Sequence, residues 1–228
     1  MKEKKMLRNV FITIVTVMII VAFGLVNSNA EDCEKGPTPL EILNGEVGMQ
    51  LSNMAFVTES ELNIYLYSGI NIADVVRLDK DIRRTEAITN VRDARIMLNS
   101  GGGVAFAGLA IRDIIKNAQN RGWKVSVEAN GIVASAAVPI IAVCRPRIAN
   151  AGTMFMVHEA AMFKWPGRET ASDIDAQQRM FALLRDRYIG YLVEDSNLSY
   201  DELRSMEKQT TWFTAKEAKE FGIVDIVQ

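Results

Sequence analysis

From Leu62 onward, short apolar runs alternate with segments of helical periodicity, and this alternation restricts the fold more than any other feature of the chain. Strands that alternate with helices of about a dozen residues build βαβ units with right-handed crossovers. The sequence therefore predicts an α/β domain with a largely parallel sheet. The predicted strands are 62–67, 94–98, 124–128, 147–149 and 154–157, and the predicted helices are 72–84, 108–119, 134–143 and 171–194.

The first thirty residues differ in composition from the rest of the chain. Four basic residues (Lys2, Lys4, Lys5 and Arg8) precede an apolar stretch at 10–26, and small residues come just before Glu31. This order is typical of a secretory signal peptide, and the apolar stretch is also near the lower length limit of a membrane anchor. We therefore predict three parts: a signal peptide or membrane anchor at 1–30, a leader or linker at 31–61, and an exported, periplasmic or extracytoplasmic domain at 62–228.

Charge and composition exclude several classes of function. The net charge is −2 and no Lys/Arg stripe follows the first ten residues, so a nucleic-acid partner is not expected. A single histidine and the absence of zinc-type spacing argue against a metal site, and no cofactor is expected. Cys33 and Cys144 could pair in an oxidising compartment. Because Cys144 lies in an apolar run, a buried, unreactive thiol is the favoured interpretation.

The single histidine, His158, follows Ser135 by 23 residues. A serine becomes a nucleophile near neutral pH only when a neighbouring base takes its proton, and imidazole is the usual base. The glycine run at 101–103 could supply a backbone N–H to a developing oxyanion. Taken singly, these features are more often a turn, a helix cap and a structural histidine. Together they make serine hydrolysis the first hypothesis.

Four segments, in order along the chain, resemble the proteolytic subunit of Clp protease. Leu98 to Gly103 is similar to that family's Asn-Ser-Pro-Gly-Gly segment, and Gly131 to Ala137 is similar to its nucleophile segment. The strand ending in His158 and the tail at 213–225 also match. The resemblance runs from about Leu62 to Val227. It implies a crotonase-like ββα superhelix and a homo-oligomeric serine peptidase that acts on peptides or unfolded protein segments.

The resemblance implies a role for each matching position. Ser135 would be the nucleophile, and His158 would be the general base and acid. The backbone N–H groups of Gly102 and Ala136 would form the oxyanion hole. Substrate would bind as an added strand between two segments of the chain. These segments are Gly103, Val104 and Ala105 after the glycine turn, and Glu159, Ala160 and Ala161 after the histidine.

Two positions depart from the family's pattern. Where the family has its catalytic aspartate this chain has Thr211, whose hydroxyl can orient an imidazole but cannot stabilise imidazolium by charge. Three alternatives stay open: another carboxylate takes over, a Ser–His pair works alone, or the protein is inactive. The candidate carboxylates are Glu207, Glu169, Asp173 and Asp175. Gly101 replaces the family's proline, which predicts a looser turn.

Other chemistries also stay open at this point. Lys164 could act as the base of a Ser–Lys dyad if burial lowered its pKa, although a solvated surface lysine is the ordinary outcome. An inactive scaffold or peptide-binding protein is the main alternative function, and an enzyme acting on acyl-thioesters is a third. The chain has no Walker motif, and an exported peptidase would work without an ATP-driven unfoldase, so no ATPase partner is expected.

Overall fold

The computed structural model describes residues 55–162 and 168–228, which contain eight strands, six helices and a short 3-10 turn. The strands are β1 (Ala55–Val57), β2 (Leu62–Leu66), β3 (Asp93–Ser100), β4 (Lys124–Ala134), β5 (Arg147–Ala149), β6 (Met154–Val157), β7 (Thr211–Thr214) and β8 (Ile226–Val227). The helices are α1 (Ile72–Ile88), α2 (Ala105–Asn120), α3 (Val138–Val143), α4 (Ala171–Asp195), α5 (Tyr200–Gln209) and α6 (Ala215–Glu220). The 3-10 turn, Ser135–Ala137, joins β4 to α3.

Several predicted features lie outside the described residues. They are the signal peptide or anchor at 1–30 with its apolar stretch at 10–26, Cys33 and Lys164. Within the described part, no helix is both long and apolar enough to cross a membrane.

The strands form one sheet in the order β1-β2-β3-β4-β5-β8, and β6 and β7 extend it from the end of β4. The pairs β2–β3, β3–β4, β4–β5, β4–β6 and β5–β8 are parallel, whereas β1–β2 and β6–β7 are antiparallel. Strand and helix alternate along most of the chain. The predicted α/β class with a largely parallel sheet is confirmed.

The core lies where the sheet meets the helices. On β3 every second residue is buried, and Ile96 and Leu98 pair in register with Ile64 and Leu66 of β2. Because side chains alternate between the faces of a strand, these apolar residues share one face. Helices α1 and α2 contribute Leu78, Ile82, Ile111 and Ile115 to the same cluster. Each such side chain contributes about 1.5–3 kcal/mol on burial, so the central strands and the two helices are fixed together.

One strand lies inside the range that was predicted as a linker. Residues Ala55–Val57 form β1, which pairs antiparallel with Leu62–Leu66 across a four-residue turn. The folded part of the chain therefore includes residues before Leu62, within the range predicted as a leader or linker. A strand of three residues is too short for its hydrophobic period to be recognised, and only its pairing with β2 defines it.

A shift of register in β4 prepares the site. Leu98 of β3 pairs with Ala129, but Ser100 pairs with Val133, so three residues of β4 bulge opposite a single residue of β3. The side chain of that residue, Asn99, accepts a hydrogen bond from the Ile132 N–H at 3.2 Å. A bulge bends its strand. After this bulge, β4 no longer pairs with β5. The last three residues of β4 pair with β6 instead.

Candidate active site

Ser135 and His158 lie at the ends of two neighbouring strands. Ser135 directly follows β4 and His158 directly follows β6, and the two strands are parallel. Because the carboxyl ends of parallel strands meet at one edge of a sheet, the two side chains come together there. Ser135 Oγ is 2.9 Å from His158 Nε2. This distance is suitable for transfer of the hydroxyl proton to the imidazole.

The backbone of Ser135 is held in an uncommon conformation. Its φ is +54°, in the left-handed region that residues with a side chain seldom adopt. Its carbonyl oxygen accepts hydrogen bonds from the Tyr188 hydroxyl at 3.2 Å and from the Val138 N–H. Such a conformation costs about 1–3 kcal/mol and persists only where the surroundings enforce it. Here a sharp turn between strand and helix presents the serine Oγ to the cavity beside it.

The glycine turn departs from the predicted oxyanion hole. The Gly102 N–H, the predicted donor, donates to Ser100 Oγ at 3.1 Å, and Gly102 is buried. A Cβ on Gly102 would lie 2.7 Å from the Ala134 carbonyl oxygen, so the turn packs directly against the nucleophile's strand. The contact with Ser100 therefore argues against Gly102 as a donor to substrate.

Gly103 offers the alternative donor. The Gly102 carbonyl accepts from the Ile70 N–H, and the Val104 N–H donates to the Ile70 carbonyl, at 2.7 and 2.8 Å. In this parallel bridge the N–H and carbonyl of Gly103 itself face away from Ile70. Gly103 and Ala136 both line the cavity that contains Ser135 and His158. Across residues 55–162 and 168–228, the Gly103 N–H has no hydrogen-bond acceptor.

The predicted substrate-binding segments form two walls of this cavity, although one is shorter than expected. Ala105 is the first residue of α2, so only Gly103 and Val104 precede the helix as extended chain. On the other side, Glu159, Ala160 and Ala161 are exposed and irregular. The cavity has a volume of about 780 Å³, and its apolar lining includes Phe106, Met162, Met180, Phe181 and Leu184. A cavity of this size and character suits an extended peptide with an apolar side chain.

Comparison with known proteins agrees with this arrangement. The model of the family described as Clp protease matches residues 47–228. The chain belongs to the Clp protease family. The match begins before β1, in agreement with a folded domain that starts earlier than residue 62. The resemblance predicted from four sequence segments is thus confirmed, and the family supports peptide hydrolysis as the general class of activity.

Individual relatives are similar over most of their length. The chain is 26% identical to ATP-dependent Clp protease proteolytic subunit 2 of Corynebacterium diphtheriae, covering 82% of this chain and 93% of that one. It is 27% identical to proteolytic subunit 3 of Rhizobium etli, covering 71% and 81%. Among solved structures, a ClpP1 mutant from Listeria monocytogenes matches with a TM-score of 0.63 and 26% identity, over 73% and 90% of the two chains.

Thr211 lies where the resemblance to the Clp protease family places an aspartate. Thr211 on β7 pairs with Val157 on β6, and Val157 is the residue directly before His158. Its hydroxyl donates to the Met206 carbonyl at 2.8 Å, so only its lone pairs remain available to another group. In the described part of the chain, no hydrogen bond reaches His158 Nδ1. Thr211 therefore leaves the imidazolium without a directly bonded negative charge.

Three of the other candidate carboxylates are placed elsewhere. Asp173 accepts hydrogen bonds from the backbone N–H and hydroxyl of Thr170, which form the capping box of α4. Glu169 accepts from the Gln177 side chain, and Asp175 is exposed on α4. Thr170 lowers the pKa of Asp173, as expected for a capping carboxylate. None of the three is among the described residues that line the cavity.

Glu207 is different, because it is buried and lines the same cavity as Ser135 and His158. Burial raises the pKa of this carboxyl, and the pairing with Arg204 opposes the rise. Arg204 Nη1 lies 2.6 Å from Glu207 Oε2 and 2.6 Å from Oε1 of Glu159, the residue after the histidine. Glu207 is the one carboxylate among the described cavity residues. No group of three or more histidine, cysteine or acidic side chains within 55–162 and 168–228 is arranged to hold a metal ion.

Sequence reasoning missed Tyr188, Arg204 and the role of Gly103. Tyr188 lies four residues after Leu184 in α4, so the two share a helix face, and this spacing could have indicated it. Arg204 lies in α5, a polar helix that was not predicted. Gly102 and Gly103 are adjacent, and no sequence pattern reveals which of the two has an N–H without an acceptor among the described residues.

Cys144, predicted to be buried and unreactive, is fully buried at the C-terminal end of α3, and its thiol donates to the Ile140 carbonyl at 3.3 Å. Burial raises the pKa of the thiol far above its ordinary value. The reactive species is the thiolate, so this side chain is part of the core.

Proposed function

We propose that this member of the Clp protease family is an exported serine endopeptidase that hydrolyses peptides or unfolded protein segments. The observation that carries the proposal is the 2.9 Å contact between Ser135 Oγ and His158 Nε2 at the carboxyl edge of the sheet. Support also comes from the apolar cavity beside this pair, which has room for an extended peptide.

The proposed reaction follows from the positions of the groups. Ser135 Oγ attacks the peptide carbonyl carbon while its proton moves to His158 Nε2. The carbonyl oxygen becomes an oxyanion that accepts hydrogen bonds from the N–H groups of Gly103 and Ala136. His158 then gives the proton to the leaving amine, and a water repeats the sequence on the acyl-serine. Loss of one oxyanion donor typically costs about 3–4 kcal/mol of transition-state stabilisation.

The proposed location and assembly rest on the sequence and the family. The basic and apolar order of residues 1–30 supports export, and residues 10–26 would attach the protein to the membrane if they were retained. Membership of the Clp protease family supports a homo-oligomer. The relatives are named ATP-dependent proteolytic subunits. Because a short peptide needs no unfolding before it enters the cavity, we expect this protein to cleave such peptides without nucleotide.

The test uses a fluorophosphonate probe, which reacts only with an activated serine. We expect labelling of the wild-type protein and none of Ser135→Ala, with strongly reduced labelling of His158→Ala. Cleavage of a quenched fluorescent peptide without nucleotide should follow the same order. Full peptidase activity in Ser135→Ala would refute the assignment. Mass spectrometry of the protein from the secreting cell should find an N-terminus at Glu31 if the signal is cleaved.

A second candidate function is a peptide-binding protein that has kept the fold and lost catalysis. Thr211 favours it, because the position expected to hold the aspartate carries no charge. In this case the wild-type protein would bind peptides in the cavity but remain unlabelled by the probe at every pH. Labelling of Ser135 would exclude this candidate.

A further inference from the structure

The bridge formed by Glu159, Arg204 and Glu207 connects the chain after His158 to α5. Arg204 Nη1 is 2.6 Å from an oxygen of each glutamate. The two ends differ in environment: the side chain of Glu159 is 54% exposed, whereas that of Glu207 is 3% exposed. An exposed ion pair contributes little, but a buried one is weakly screened and holds its partners in place.

The charge of this bridge equals that of the missing aspartate. When Glu159 and Glu207 are both ionised, two carboxylates and one guanidinium leave one surplus negative charge. One end of the bridge is adjacent in sequence to His158, and the other lines the cavity that His158 shares with Ser135. A negative charge in a partly buried site favours imidazolium even without a hydrogen bond, because the attraction acts through space.

The other charged groups near the bridge do not cancel it. Arg185 also lines the cavity and its charge helps to lower the pKa of Glu207, but Arg185 forms an ion pair with Asp186 at 2.9 Å, so this pair adds no net charge. Burial, and then the charge of Glu207, raises the pKa of Tyr188, which keeps its phenol neutral and able to donate to the Ser135 carbonyl. Of the described residues that line the cavity, Arg185 is the only lysine or arginine and Glu207 is the only aspartate or glutamate.

We propose that Glu207, held by Arg204, is the acidic positioning residue of this site and supplies through space the negative charge that an aspartate would supply at position 211. Glu159 anchors the segment after the histidine to the same bridge. The kinetic part of this proposal rests on the proposed peptidase function, whereas the electrostatic coupling between Glu207 and His158 does not.

The test exploits the single histidine of the chain, whose imidazole NMR signals need no assignment. The pH midpoint of these signals is measured in the full-length wild type, Glu207→Gln, Glu207→Asp and the control Glu220→Gln. Glu220 is an exposed carboxylate at the end of α6. Glutamine still accepts a hydrogen bond from Arg204 and removes a buried charge, so we expect Glu207→Gln to fold, and thermal unfolding verifies this. The rate of labelling by the fluorophosphonate is measured on the same samples.

We expect the midpoint to move to lower pH in Glu207→Gln, because imidazolium loses a stabilising charge, and to stay close to wild type in the other two variants. Labelling of Glu207→Gln should slow by about tenfold, the effect of one unit charge at moderate distance in a medium of intermediate dielectric. An unmoved midpoint in Glu207→Gln would overturn the proposal. If the wild-type protein is not labelled at all, the peptidase assignment fails, while the midpoints still decide whether Glu207 acts on His158.

Discussion

Alanine at Gly102 should damage the site far more than alanine at Gly101, although the two glycines are adjacent. Gly102 has a φ of +91°, and a Cβ there would lie 2.7 Å from the Ala134 carbonyl oxygen and 2.7 Å from the Ser135 Cβ. Real Cβ atoms do not make such contacts with backbone atoms, so the turn or the nucleophile's strand must move. At Gly101 an added Cβ meets nothing within 4 Å.

The expected magnitude has two parts. A left-handed conformation costs a non-glycine residue about 1–2 kcal/mol, and overpacking typically adds about 1–3 kcal/mol. We therefore expect Gly102→Ala to lower the free energy of unfolding by about 2–5 kcal/mol. If the turn moves instead, the Gly103 N–H is displaced from the oxyanion and the labelling rate falls by about two orders of magnitude or more.

Urea unfolding measures the loss of stability, and the rate of fluorophosphonate labelling measures the displacement of the Gly103 N–H. Gly101→Ala serves as the matched control and should stay within about 0.5 kcal/mol of wild type in stability. If Gly102→Ala proved as stable and as reactive as Gly101→Ala, the packing of the glycine turn against Ala134 and Ser135 would be refuted.

Three further predictions concern other parts of the molecule. Thr211→Asp should speed fluorophosphonate labelling by about tenfold or more, because a carboxylate at this position adds a negative charge beside the imidazole. An equal or lower rate would show that this position does not act on the histidine. Cys144 should resist alkylation in the folded protein and react after unfolding, as peptide mapping by mass spectrometry can show; rapid modification of the native thiol would contradict its burial. Burial acts to raise the pKa of Asp225, but hydrogen bonds from Arg147 outweigh it and lower this pKa. The carboxylate therefore stabilises the fold at pH values above its unfolded pKa, and this contribution is lost as pH falls through the folded pKa. The stability difference between wild type and Asp225→Asn should therefore shrink in acid, and a constant difference across pH would contradict it.

Much of the fold could be predicted because it depends on local periodicity. The central strands β2 to β6 and the helices α1, α2 and α4 were each predicted near their observed positions. In each of these segments the apolar residues repeat with the period of a strand or of a helix. They are also numerous enough to define one buried face. In contrast, β1 has three residues and α5 is polar, so neither carries a pattern strong enough to be recognised.

The same division applies to the site. The sequence by itself determined that His158 is the only imidazole available as a base for a nucleophilic serine. It also determined that a glycine run precedes this serine, and that an uncharged threonine stands where the aspartate was expected. Only the tertiary structure decided which of Gly102 and Gly103 lines the cavity and which carboxylate lines it, namely Gly103 and Glu207. The direction of an amide depends on the bridge to Ile70, and the burial of a carboxylate depends on how α5 packs. Both are contacts between distant parts of the chain, and local sequence patterns do not specify such contacts.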